Sequence, residues 1–289
     1  MTSLKIDLHM HSTVSDGTDT PEQLLDRVRA AGIGLFSVTD HDAIKSSGVL
    51  PALLGADSPR FLSGVEFSCK DAEGKYHILG YGYDPEGAAI RQVVDLGHSY
   101  RIRKVQGRLE GLEREFGVTF PAWELSSLFA LDNPGKPHLG NLMVKYGFAE
   151  TKEQAIAQYI NRLHFPAEYV RPEEAIRGIL ASGGIPVLAH PCFGSGDQMI
   201  RGREMERRIR RLMEFGLQGL EAFYSGFTPV LRQEILDFAR RFDLYVTAGS
   251  DYHGTNKPVR LGDTGLEPGP EPPEGLRRFL HDIAGAVKP

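Results

Sequence analysis

The chain carries ten histidines, and six of them stand at or near the ends of segments that read as strands. His9 and His11 are two apart at the end of the first such segment, so in extended backbone they share one face. Asp16 lies in the loop just after. His41 lies within the run Asp40, His41, Asp42 that closes the second segment. Glu66 sits near the end of the third and His77 on the next. His190 follows PVLA directly, and Asp251 and His253 follow VTAGS. Any one of these is explained as a satisfied polar residue or a loop cap. Unrelated structural needs would not put nine of them at successive strand ends, where functional groups converge in parallel α/β folds.

Imidazole and carboxylate without thiolate suit Mn, Fe or Zn, and disfavour a structural zinc site. Nine candidate ligands exceed what one ion uses, so two or three divalent ions are expected, with Glu66 best placed to bridge. Neighbouring divalent ions favour phosphoryl hydrolysis, because they bind ester oxygens, neutralise charge and turn a bridging water into hydroxide. On these grounds alone, acyl or amide hydrolysis remains open.

The positioning elements alternate at first. Leu4 to His9 reads as a strand. Pro21 to Ala31 reads as a helix capped by Thr20 with Gln23 and stopped by Gly32. Gly34 to Asp40 is a strand, Ala43 to Leu54 helical, and Arg60 to Ser68 and Tyr76 to Tyr83 are strands. From Glu86 to Arg162 the pattern is almost wholly helical. Alternation then resumes, with helices near Glu173 to Ser182, Glu204 to Phe215 and Pro229 to Phe242. The strands between them are Ile185 to Ala189, Gly219 to Phe223 and Leu244 to Ala248. Such alternation implies a parallel sheet. The expected division is an α/β domain from residues 1–85 and 167–289, with residues 86–166 as an all-helical insertion. Leu266 to Pro273, rich in Pro and Gly, is expected to be irregular.

With 289 residues, 41% hydrophobic and 25% charged, the chain is an ordinary globular one. Its net charge of −5 gives no global pull toward nucleic acid or anionic membrane, so a small anion must be captured locally. Two cysteines, Cys69 and Cys192, make no disulfide framework. No stretch approaches the roughly 20 apolar residues of a membrane helix. A cytoplasmic setting is expected. The basic helix 201–211 is interleaved with Glu204 and Glu206 and reads as a solvated face. RIRKVQGR at 101–108 lies in the helical block and is weighed evenly between surface and site.

The strings DLHMHSTVSDGT, VTDHDAI, GVEFS, HILGYG, LAHP and GSDYHG resemble the motifs of the PHP (polymerase and histidinol phosphatase) superfamily, across roughly residues 4–84 and 168–263. The resemblance implies a distorted (β/α)7 barrel and a cluster of two or three metals, with manganese the first expectation and iron or zinc alternatives. It implies one metal on His9, His11, Glu66 and Asp251, and a second on Glu66, His77 and His190. A third would use Asp16, His41 and His253, with Asp16 standing where some relatives have histidine. It places His190, Glu66 and Asp251 at the reacting centre. The helical insertion resembles that of small bacterial members acting on nucleotides, which carry Arg-Pro-His there. Here the tripeptide is Lys136-Pro137-His138, and lysine keeps the charge but loses bidentate phosphate recognition. The resemblance therefore implies hydrolysis of a phosphate monoester of a small nucleotide by a metal-bridging hydroxide, with Lys136 and His138 touching the substrate. Short RNA ends are a further candidate substrate. A cyclic sugar phosphate or histidinol phosphate is the competing substrate, and a non-catalytic metal-binding module the competing class.

Overall fold

Local chemistry sets the first helix. In the computed structural model, which describes residues 4–194, 198–267 and 271–288, Thr20 caps α1 (Pro21–Ala30). Its hydroxyl accepts from the Gln23 N–H while the Gln23 side chain accepts from the Thr20 N–H. That reciprocal cap leaves Leu24, Leu25 and Val28 to face the core.

Three two-residue strands, β1 (Ile6–Asp7), β2 (Leu35–Phe36) and β3 (Arg60–Phe61), form a parallel sheet. A second sheet runs in the order β4 (Gly64–Asp71), β5 (Gly74–Tyr81), β6 (Ile185–Leu188), β7 (Gly219–Tyr224) and β8 (Tyr245–Gly249). The segment Arg60 to Ser68 is thus not one strand; it breaks at Leu62 and Ser63 and feeds two sheets. Nor is the second sheet all parallel. β4 and β5 are antiparallel, and so are β5 and β6, whereas β6 to β8 are parallel. Only Ala72 and Glu73 separate β4 from β5, too little chain for a parallel crossover. Backbone bonds tie the two sheets together outside the named strands. Leu8 N–H donates to Ala248 O at 2.9 Å and Asp251 N–H to His9 O at 2.7 Å, while on the other side Asp42 N–H donates to Glu66 O at 2.9 Å.

The helical stretch after Ala43 is short, α2 (Lys45–Val49) followed by one 3-10 turn. α3 (Ala88–Phe116) opens the helical block, followed by α4 (Ala122–Phe129), α5 (Lys136–Lys145) and α6 (Lys152–Gln158). Next come α7 (Pro172–Ala181), α8 (Gly202–Phe215), α9 (Pro229–Arg241) and α10 (Glu274–Asp282). The main core gathers both faces of the large sheet, and α3 enters it through Ile90 and Val93. Further along, Val105 and Leu112 of the same helix leave it for a separate apolar cluster with Leu128, Leu139, Met143 and Ile160. One long helix therefore joins two cores. Among the described residues no helix is long and apolar enough to cross a membrane. Of the stretch Leu266 to Pro273, residues 268–270 lie outside the described residues.

Candidate metal centre

The nine residues singled out by type and spacing meet at one place. Glu66 stands at the middle. Its Oε2 lies 3.2 Å from His9 Nε2, 3.2 Å from His11 Nε2 and 3.1 Å from His41 Nδ1. Its Oε1 lies 2.8 Å from His77 Nδ1 and 3.2 Å from His190 Nε2. Asp251 Oδ1 is 3.5 Å from His9 Nε2 and 3.3 Å from His11 Nε2. Asp16 Oδ1 is 3.3 Å from His253 Nε2. Three donor sets gather their ligand atoms within 4.8 Å: His9, His11, Glu66 and Asp251; His41, Glu66 and His77; and His11, Asp16, His41 and His253.

Several of these atoms are buried without a well-formed hydrogen bond. His9 Nε2, His11 Nε2 and His41 Nδ1 crowd Glu66 Oε2 at 3.1 to 3.2 Å, yet none of these four atoms makes one. Each unsatisfied buried polar atom costs roughly 1–3 kcal/mol, so four gathered at one point ask for a common partner. A divalent cation fits these imidazole and carboxylate donors. The backbone is held for the same purpose: of the four non-glycine residues with positive φ among those described, Asp42 (50°), His190 (29°) and Asp251 (60°) lie here. Such conformations are costly for residues with a Cβ and persist where surroundings impose them.

No family model matches the chain. It is 29% identical to a 5'-3' exoribonuclease of Haemophilus influenzae, over 89% of this chain and 93% of that one. It is 30% identical to the 3',5'-nucleoside bisphosphate phosphatase of Chromobacterium violaceum, over 86% of this chain and 87% of that one. The chain belongs to the PHP superfamily. Among solved structures, one from Bifidobacterium adolescentis assigned by inference as a metal-dependent phosphoesterase superposes with a TM-score of 0.80, at 27% identity, covering 96% of this chain and 95% of that one. This PHP chain is accordingly a metal-dependent phosphoesterase, a hydrolase with an α/β fold.

Within the PHP site the charges are arranged for cations. Burial pushes the carboxyls of Asp16, Glu66 and Asp251 toward the neutral form, yet the facing imidazoles hold all three well below the usual carboxylate range. Burial opposes a proton on His9, but Glu221, Glu66 and Asp251 outweigh it and raise that imidazole well above its ordinary value. His11, likewise buried, is raised to about 9 by Asp251 and Glu66. His41 goes the other way, lowered by burial despite Glu66 and Asp16. In the metal-free protein the His11 contribution to stability is complete below its ordinary value of 6.5 and disappears as pH rises through about 9. Nitrogen chemical shifts of the metal-free protein should therefore show the His11 ring keeping its proton through neutral pH and losing it near 9. A ring that loses its proton near 6.5 would contradict the assignment of a protonated His11.

The supporting shell was not visible beforehand. Glu221, fully buried in β7, accepts from His9 Nδ1 at 2.8 Å and from the His190 N–H at 2.8 Å. Asp7 accepts from the N–H groups of His9, Ser250 and Gly262. Asp40, read beforehand only as a member of the motif, accepts from Ser12 N–H, Ser12 Oγ, Ser15 Oγ and Ser46 Oγ, pinning the loop that carries Asp16. Lys257 Nζ and Tyr224 OH both donate to Asp251 Oδ2. Gly249 is obligatory here, since a Cβ would come within 2.1 Å of His9 Cβ and 2.6 Å of Glu221 Oε1.

The helical block reaches the same region. Arg101 of α3 donates to Asp42 Oδ2 at 2.6 Å and to Ser68 Oγ at 2.9 Å. Asn133 Nδ2 donates to His41 O. At the start of α5, Lys136 Nζ donates to Asn161 Oδ1 at 2.5 Å, and His138 Nδ1 accepts from the Gly135 N–H at 3.0 Å. Burial lowers the His138 imidazole, with Asp16 pulling the other way.

Proposed function

We propose that this PHP phosphoesterase hydrolyses a phosphate monoester of a small nucleotide at two or three divalent ions held in a distorted barrel mouth. The observation that carries the reading is Glu66, whose two oxygens lie within 3.2 Å of nitrogens from five histidines. His9, His11, Glu66 and Asp251 would hold one ion, Glu66, His77 and His190 a second, and Asp16, His41 and His253 a third. His11 and His41 lie near enough to serve two sets. Manganese is the first expectation, and iron or zinc suits the same donors. Bound ions of this kind neutralise charge on the phosphoryl oxygens and make a water nucleophilic near neutral pH. Both relatives named above act, by their names, on nucleoside phosphates or RNA, which supports a nucleotide substrate. The buried free thiols Cys69 and Cys192 suit a reducing, cytoplasmic setting.

Residues 86–166 act in this reading as a lid over the metals. Because the Gly135 N–H donates to His138 Nδ1, the neutral ring carries its proton on Nε2, and a donor is left to face the leaving oxygen. His190 turns Nε2 to Glu66, so its ring is committed to the cluster and His138 is the better leaving-group acid. Steady-state kinetics with adenosine 5'-monophosphate, adenosine 3',5'-bisphosphate and a cyclic ribose phosphate test both the reading and the lid. The two nucleotides should be the better substrates. Lys136→Ala should raise KM about tenfold with metal content intact, and His138→Ala should lower kcat by roughly 10²-fold. Preference for the cyclic substrate would overturn the nucleotide reading, and unchanged kinetics in both variants would reduce the two residues to scaffolding.

A further inference from the structure

The helical block does not brace the nine candidate ligands evenly. Among the described residues, no hydrogen bond from residues 86–166 reaches His9, His11, Glu66, His77, His190 or Asp251. The polar bracing of His9, His190 and Asp251 comes from within the α/β domain, through Asp7, Glu221, Tyr224 and Lys257. Asp16, His41 and His253, which share one donor set with His11, are held differently. Asn133, fully buried between α4 and α5, gives its Nδ2 to the His41 carbonyl. Lys152, the first residue of α6, donates through Nζ to Asn256 O at 2.6 Å and to Asn256 Oδ1 at 3.3 Å. Asn256 in turn donates through Nδ2 to Asp16 O at 2.8 Å, and its own N–H donates to His253 O at 3.3 Å.

Packing alone does not account for these contacts. An ammonium only donates and a carbonyl only accepts. Asn256 must therefore turn its amide oxygen to Lys152 and its NH₂ to Asp16, and a reversed amide would lose both bonds. One side chain thus pins the loop of Asp16 to a turn 240 residues further along the chain, directly after His253. Lys152, with its side chain 13% exposed, spends its charge partly on a backbone carbonyl. Asn133 leaves its Oδ1 buried without a partner, a cost that an apolar residue would avoid. The bond it does make goes to the main chain of a candidate ligand. Arg101 adds a further tie one residue on, holding Asp42 at 2.6 Å.

We propose that the helical block completes the third donor set: Asn133 and Lys152, the latter through Asn256, are positioning residues for His41, Asp16 and His253. Ion binding at that set and seating of residues 86–166 on the α/β domain then favour each other, and the coupling is reciprocal. The sets built on His9, Glu66 and Asp251, and on His77 and His190, are held without the block. The proposal rests on the metal assignment above and goes beyond it, by making one ion's site depend on the insertion.

Manganese titrated into metal-free protein tests this, with binding followed by calorimetry and bound metal counted by mass spectrometry. The native chain should take up three ions. Lys152→Met and Asn133→Leu keep side-chain size and remove the donor. Each should weaken one of the three ions by about 10- to 100-fold and leave the other two as they were. Lys152→Arg should recover part of the affinity, because it restores a donor. Amide hydrogen exchange gives a second readout that needs no turnover. Saturating manganese should slow exchange in α5 and α6 of the native chain, and much less so in Lys152→Met. Three ions bound with native affinity by both donor-removing variants would overturn the coupling. So would an equal loss at all three sites, or uptake of only two ions by the native chain. Should the native chain bind three ions yet hydrolyse no phosphate ester, the proposed function fails, and the titration still decides the coupling.

Discussion

Glu66→Gln should lower turnover of phosphate esters by on the order of 10³-fold and strip metal from the enzyme. The substitution keeps the side chain's shape, so β4 and its pairing with β5 have no reason to change. What changes is the charge that five imidazoles face. A glutamine presents one acceptor and one amide donor where two acceptors stood, and cannot bridge two cations through both oxygens. It also removes a carboxylate that raises His9 and His11. Metal content by mass spectrometry and kcat with p-nitrophenyl phosphate measure the two effects separately. Chelation of the native enzyme should give the same loss of rate, reversed by adding manganese. A variant that keeps full metal and native turnover would remove Glu66 from the centre of the site.

Much of this centre was legible because ligand chemistry restricts residue type. Imidazoles and carboxylates repeated at segment ends are improbable for other reasons, and His9, His11, Asp16, His41, Glu66, His77, His190, Asp251 and His253 do come together. Strand direction was less legible, since period-two alternation carries no sign of parallel or antiparallel pairing. His77 looked like one more strand end, yet it sits inside β5, brought opposite Ser68 by the hairpin. The tight connection through Ala72 and Glu73 was the available signal. The cations of α3 were harder, because a run of arginine and lysine on a helix normally belongs to a solvated face. Lys104 and Arg108 are nevertheless buried, beside the rings of Tyr169 and Phe165. Glu221 gave no signal at all: within the apolar run of β7 a single glutamate reads as an outward-facing residue.

That glutamate carries the second large expectation. Glu221 Oε1 takes the proton of His9 Nδ1 and Oε2 takes the His190 N–H, each at 2.8 Å. The first bond fixes the His9 tautomer and leaves Nε2 bare toward Glu66 and Asp251, as a metal ligand must be. The second holds His190 in its positive-φ backbone. Glu221→Gln cannot satisfy both donors. If its amide oxygen faces His9, its NH₂ confronts the His190 N–H. With the amide turned over, the NH₂ donates to His9 Nδ1, the ring proton moves to Nε2, and the ligating lone pair is lost. Metal affinity should therefore fall by about 10- to 100-fold, read by titrating manganese against rate. Glu221→Ala leaves both donors buried and bare, at roughly 1–3 kcal/mol each, and should also lower the melting temperature. Because Glu221 positions ligands and touches no substrate, saturating manganese should restore most of kcat in Glu221→Gln. In the metal-free protein, nitrogen chemical shifts should show the His9 ring losing its proton at lower pH in Glu221→Gln than in the native chain, because Glu221 is the carboxylate that raises it most. Native metal affinity together with an unaltered His9 titration would show that Glu221 is only a packed core residue.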